Sequence, residues 1–195
     1  MSWWELEMRE RNAATQNGCD NPLGLLIGLA FDGRFLAAVN GEQPVLLVWD
    51  SDTALPPREP LLDANGRVNW DVSSHEGTLL DLPFIPQCVA FAPSRSWLAA
   101  GGAEIALVNP LTLERTEHPR AGGEITALAF SADRRELLAG TEDETVEVWD
   151  ADAGHMLREF DWKHGAITAV AVAPDATTFA AGTEAGQVIV WDREG

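Results

Sequence analysis

The amino-acid sequence predicts an all-β chain assembled from repeated antiparallel sheet units, and three observations carry that reading. A 26-residue stretch recurs without a gap, half of its positions identical. The apolar runs are short and parted by turn residues. No amphipathic helix is found anywhere along the 195 residues.

The recurrence comes first, because a fixed period determines architecture before any local propensity does. Ile125 to Asp150 reads ITALAFSADRRELLAGTEDETVEVWD, and Ile167 to Asp192 reads ITAVAVAPDATTFAAGTEAGQVIVWD. The two align without a gap at an offset of 42, with 13 of 26 positions identical. Two weaker copies lie upstream. In the stretch around Cys88 to Pro110, Phe91 precedes Phe130 by 39 residues, and Val108-Asn109 stands where Trp149-Asp150 stands. Leu25 to Asp50 ends in Trp49-Asp50.

Each copy reads as strand, turn, strand. Leu128-Ala129-Phe130 and Leu137-Leu138-Ala139 are too short for helices, and Asp133 or Pro174-Asp175 supplies the break. Val146-Glu147-Val148-Trp149 alternates as a third strand, and His155 to Phe160 supplies a fourth. The repeats therefore occupy residues 25–195, behind an N-terminal segment of residues 1–24. A long insertion at 51–86 separates the first two copies. Asp50 to Cys88 spans 38 residues, against 19 from Asp150 to Ala169. Its Pro56-Pro57, Pro60, Asn65-Gly66 and Pro86 mark turns, so an outer strand plus a long loop is expected.

The terminal Trp-Asp pairs (Trp49-Asp50, Trp149-Asp150, Trp191-Asp192), the Phe91-Ala92-Pro93 stretch and the AGTEDETVEVWD segment resemble the WD40 repeat family. That resemblance covers roughly residues 25 to 192. It implies a β-propeller of four-stranded antiparallel blades round a central channel, with about four blades in this chain. It also implies a bracing set in each blade, joining a His, a Ser or Thr, an Asp and the Trp. The set is incomplete throughout. The third copy has Asp143 and Trp149, with Ala127 at the hydroxyl position. The fourth has His164 and Trp191, with Ala169 and Ala185 in the other places. Trp49 is the matching residue of the first copy. Blades with such gaps are expected to rest mainly on apolar packing.

The resemblance leaves closure of the propeller open. Trp4, Leu6 and Met8 alternate with Glu5, Glu7 and Arg9, as an edge strand would, so residues 3–10 are expected to supply a missing outer strand. Either the chain closes on itself as a small ring, or two chains meet head to tail in an eight-bladed homodimer, or the sequence is a fragment or an arc with open edges. Trp3 and Trp4 read equally well as partner anchors or as strand packing.

Composition narrows the function. A formal charge of −18, from 31 acidic and 13 basic residues, argues against nucleic acid, whose phosphates need a basic surface. No run of about 18 apolar residues suggests a membrane span. Charges among the first twelve residues argue against a signal peptide, so a cytoplasmic location is expected. Cys19 and Cys88 form no metal or disulfide pattern. G-x-S-x-G, GxxxxGK[ST] and H-E-x-x-H are all missing, and neither His75-Glu76, His118 nor His155 belongs to a catalytic set; His118 and His155 read as surface residues. No catalytic, cofactor-binding or metal residue is assigned.

Glu142, Asp143 and Glu144 cluster in one turn, and Glu184 holds the matching place one repeat on. Glu142, Glu144 and Glu184 are the candidate partner-binding rim, suited to proteins with basic surfaces. The expected function is a non-enzymatic protein–protein interaction scaffold. Its rivals are a regulatory or sensor module detached from a larger protein, and a propeller enzyme with a site in the channel.

Overall fold

Four antiparallel sheets follow one another along the chain in a computed structural model that describes residues 26–50, 61–62, 68–69, 77–93, 97–118, 122–133 and 136–193. The first sheet contains β1 (Gly28–Phe31), β2 (Phe35–Val39), β3 (Val45–Asp50) and β6 (Gly77–Asp81) in the order β1-β2-β3-β6. Between its last two strands, β4 (Leu61–Leu62) and β5 (Val68–Asn69) form a separate hairpin. The second sheet runs β7 (Cys88–Phe91), β8 (Leu98–Gly101), β9 (Ile105–Val108) and β10 (Arg115–His118). The third runs β11 (Ile125–Phe130), β12 (Glu136–Thr141), β13 (Thr145–Asp150) and β14 (Met156–Asp161). The fourth has three strands among the described residues: β15 (Ile167–Val172), β16 (Thr178–Thr183) and β17 (Val188–Asp192). These are successive blades of a β-propeller. The closing strand expected from residues 3–10 lies outside the described residues.

Polar turn residues explain why the chain reverses where it does. Asp32 Oδ1 accepts the N–H groups of Arg34 and Phe35 at 2.8 and 2.7 Å. Asp175 Oδ1 does the same for Thr177 at 3.1 Å. Such short-range bonds satisfy backbone donors that a sheet leaves over at a reversal. The Asp of the Trp-Asp pair works in this way too. Asp150 Oδ1 accepts from Asp152 and Ala153 at 2.9 and 2.7 Å, closing the turn into β14. Asn109 repeats the pattern on Leu111 and Thr112 at 2.9 and 3.2 Å, so the second blade needs no aspartate there. The two backbone donors hold the Asp150 carboxyl below its ordinary value of 3.8. A group with a depressed folded pKa stabilises above its unfolded pKa and loses that contribution as pH falls through the folded one. Asp150→Ala is therefore expected to lower the melting temperature at pH 7. Asp150→Asn keeps both bonds, as Asn109 does, and should retain most of the stability while shrinking the loss on acidification. Thermal melts from pH 7 to below pH 3.8 check both.

The blades stack through apolar faces, and each blade has two of them. The leading face meets the blade before, the trailing face the blade after. Phe35, Ala37, Val39, Leu46 and Val48 of blade one pack on Leu98, Ala100, Ala106 and Val108 of blade two, with Val89 and Phe91 alongside. Ala99 and Leu107 of blade two meet Leu137, Ala139 and Trp149 of blade three. Leu138, Val146 and Val148 of blade three meet Phe179, Ala181 and Trp191 of blade four. Both faces of β8, β9, β12 and β13 are thus buried almost end to end. The alternation of Val146-Glu147-Val148-Trp149 does not mark one wet face, as a free-standing sheet would have. Glu147 points into the joint with blade two, 3% exposed.

Small residues let the inner strands approach. A Cβ on Gly140 would overlap Ile167 of the next blade, and one on Gly101 would lie 2.8 Å from Ile125. Alongside, the Thr126 hydroxyl reaches the carbonyl of Gly140 at 3.1 Å and that of Ile167 in the following blade. Cys88 occupies the same place one blade earlier, its sulfur 3.8 Å from Gly101 O and 3.7 Å from Ile125 O. Burial pushes its thiol up to about 12, which keeps it protonated and inert.

Candidate functional site

The turns between second and third strands gather at one end of the blades. Glu142 N–H donates to Glu124 O at 3.0 Å and Glu184 N–H to Ala166 O at 2.8 Å, so each turn is tied to the segment entering its own blade. Glu142, Asp143 and Glu144 sit in the β12–β13 turn, with Glu142 and Asp143 exposed. Glu184 is exposed in the β16–β17 turn. Structure adds two acids that sequence reading passed over: Glu42 in the β2–β3 turn, exposed, and Glu104 in the β8–β9 turn, half-buried. Every one of the four blades therefore presents a carboxylate at this end. Lining up the four turns by their distance from the third strand would have found them.

The acidic turn of blade three shares an open depression with Asp161 and Lys163. Lys163 stands 3.9 Å from Asp161 and is the basic side chain at this end among the described residues. At the opposite end Arg34 meets Asp50 at 2.6 Å, and Arg193 meets Asp133 at 2.6 Å. Asp152, Asp175 and Asp192 are exposed there as well.

The residues expected to brace the blades take other partners. Asp143 accepts the N–H of Gly123, pinning the loop that enters blade three. The Trp149 indole N–H donates to Glu147 at 2.9 Å, two residues back on the same face of β13. Glu147 was not singled out in the sequence, although a charged residue two places before a tryptophan in an apolar strand is a visible signal. The place of Glu147 is taken by Ile189 in blade four, and there the Trp191 indole nitrogen is buried with no hydrogen-bond partner. Trp191 is held by rings instead: Trp162 at 4.6 Å, Phe160 at 5.6 Å and Phe179 at 5.7 Å between centroids. Trp49 packs beside Ala38 and Leu47. His164 is exposed on the loop into blade four.

His155 is exposed, and His118 is half-buried where a solvated surface residue was expected. The end of β10 lays its ring against the β13–β14 turn, where Gly154, at φ +66, leaves no room for a Cβ. Desolvation there lowers the imidazole pKa below its ordinary 6.5. Among the described residues no group of three His, Cys, Asp or Glu side chains is placed to hold a metal ion. No helix is long and apolar enough to cross a membrane among them.

Stacked antiparallel blades, three of them with a Trp-Asp pair ending the third strand, define a repeat protein of the propeller class. Residues 111–150 and 154–192 match the family model described as WD domain, G-beta repeat. It is 33% identical over 89 residues to WD repeat-containing protein 1 of Xenopus tropicalis. That match covers 43% of this chain and 15% of the relative's length. Proteins of the WD40 family generally act as non-enzymatic platforms for protein–protein contact.

Proposed function

We propose that the chain is a protein-docking scaffold whose acidic end receives partners with basic surfaces. One observation carries the reading: each blade places a carboxylate in the same turn, through Glu42, Glu104, the Glu142–Glu144 cluster and Glu184. Partner selection then rests on Coulomb attraction to a rigid array, which speeds encounter and rejects acidic surfaces. Lys163 is the local exception, and it sits between Asp161 and the blade-three turn. A second copy of the chain is a separate partner, engaged away from the acidic end. The cytoplasm is the compartment proposed for it.

The test is affinity capture with the intact chain and with Glu142→Lys/Glu184→Lys. Proteins recovered by the native chain should be lost from the double variant and should weaken as salt rises. Equal recovery by both chains removes the acidic end as the docking site.

A further inference from the structure

The two outermost blade faces are built as joints, and each leaves large apolar side chains exposed among the described residues. Repeat equivalence makes this plain for the trailing face of blade four. Val188 and Val190 hold the places that Val146 and Val148 hold in blade three. Val146 and Val148 are 0% exposed beneath blade four, whereas Val188 and Val190 are 74% and 62% exposed. Gly182 matches Gly140, but a Cβ there meets only its own blade, at 3.7 Å, instead of an incoming isoleucine. Thr168 matches Thr126 and reaches its own Gly182 carbonyl at 3.3 Å, with no carbonyl of a following blade beside it. Ala169, Ala171 and Ala180 complete a flat apolar sheet surface.

The leading face of blade one shows the converse. Leu29 and Phe31 hold the places of Val89 and Phe91, of Leu128 and Phe130, and of Val170 and Val172. Those three pairs pack into joints with the blade before. Leu29 and Phe31 are 46% and 62% exposed, and Leu79 on β6 adds to the same surface, while Leu26 and Trp49 pack on Ala38 and Leu47 at its centre. Contiguous apolar area of this kind marks an interaction surface.

We propose that two copies of this chain close on each other head to tail. The trailing face of blade four in one protomer seats on the leading face of blade one in its partner. A second copy is the occupant because the chain already forms this joint three times, trailing face on leading face, and the described residues of blades one and four leave apolar side chains of one half of it exposed. The area is sufficient. Four strands in blade one and three in blade four, about 4.8 Å apart with five residues at about 3.3 Å, give roughly 320 and 240 Å² per face. A two-fold closure brings two of each together, roughly 1,100 Å², above the roughly 1,000 Å² that a specific interface should clear. The inference is independent of the acidic end, which lies on the turns and not on the blade faces.

Light scattering of the native chain across a concentration series is expected to give twice the 21.1 kDa chain mass. Val190→Glu and Phe31→Glu should each reduce it to the single-chain mass with an unchanged circular dichroism spectrum, since neither side chain is buried within one chain. Gly182→Leu is a third variant for the same face. Mixing Val190→Glu with Phe31→Glu should restore a two-chain species, because one native joint remains in that pair. A native chain that stays at 21.1 kDa overturns the proposal. So does a pair that only one of the two glutamate variants breaks, which would mean a face meeting its own copy, and so does a mixture that remains single. Glu142→Lys/Glu184→Lys should leave the mass unchanged, so loss of docking and loss of pairing are read separately.

Discussion

Phe179→Ala is expected to cost about 3–5 kcal/mol, the range for emptying a buried phenylalanine site. Phe179 is fully buried in the joint between blades three and four. Its ring meets Trp191 at 5.7 Å and 74°, and Trp191 in turn meets Trp162 at 4.6 Å. Trp191 has no polar anchor for its indole nitrogen, so ring and apolar contacts hold it. Removing Phe179 therefore loosens two residues, and the site cannot collapse without moving the sheet. In a stack where each unit touches only its neighbours, the damage stays local. Blade four should lose protection from hydrogen exchange first, ahead of the earlier blades. Leu111→Ala, on a residue 64% exposed in a turn, is the control and should stay within about 0.5 kcal/mol. Thermal melts and amide exchange together check the expectation.

Glu136→Ala is expected to cost about 2 kcal/mol by a different route, loss of a shared ionic anchor. Glu136 is 7% exposed, accepts a hydrogen bond from Arg158 at 2.9 Å and forms an ion pair with Arg193 at 2.8 Å. Arg193 continues to Asp133 at 2.6 Å, so one network joins the β11–β12 turn and β12 of blade three to the end of blade four. Breaking a fully buried pair costs more, but both guanidinium groups keep access to water, and the figure is reduced accordingly. Asp133 first, then Glu136, raises the Arg193 pKa above its ordinary value. A raised pKa stabilises fully below the unfolded value and is lost as pH rises through the folded one, so the arginine stays charged from acid to neutral pH. Glu136→Gln keeps an acceptor and should lose less than Glu136→Ala in urea unfolding. A double-mutant cycle with Arg193→Ala should show a coupling of roughly 0.5–3 kcal/mol.

Much of the architecture was legible because it repeats. The ungapped offset of 42 between Ile125 and Ile167 placed blades three and four, and Phe91 and Asn109 placed blade two by phase. The fourth strand expected at His155 to Phe160 is β14, Met156–Asp161. The WD40 resemblance was carried by the Trp-Asp pairs. Bonding within the blades was less legible. The expected bracing partners of Trp149 came from the family pattern, while its indole bonds Glu147. His118 looked like a surface residue because its distance from Ile125 said nothing about the turn of the following blade.

The sequence by itself determined the repeat, its period and the polar turn residues, because turns and strand alternation depend on neighbours a few positions apart. Only the tertiary structure decided which faces are buried. A strand's two faces are chemically alike in this chain, and stacking makes both of them interior in blades two and three. Identical valines are thus buried at 146 and 148 and exposed at 188 and 190. The residue type is the same at both places, and the difference is whether another sheet lies against it.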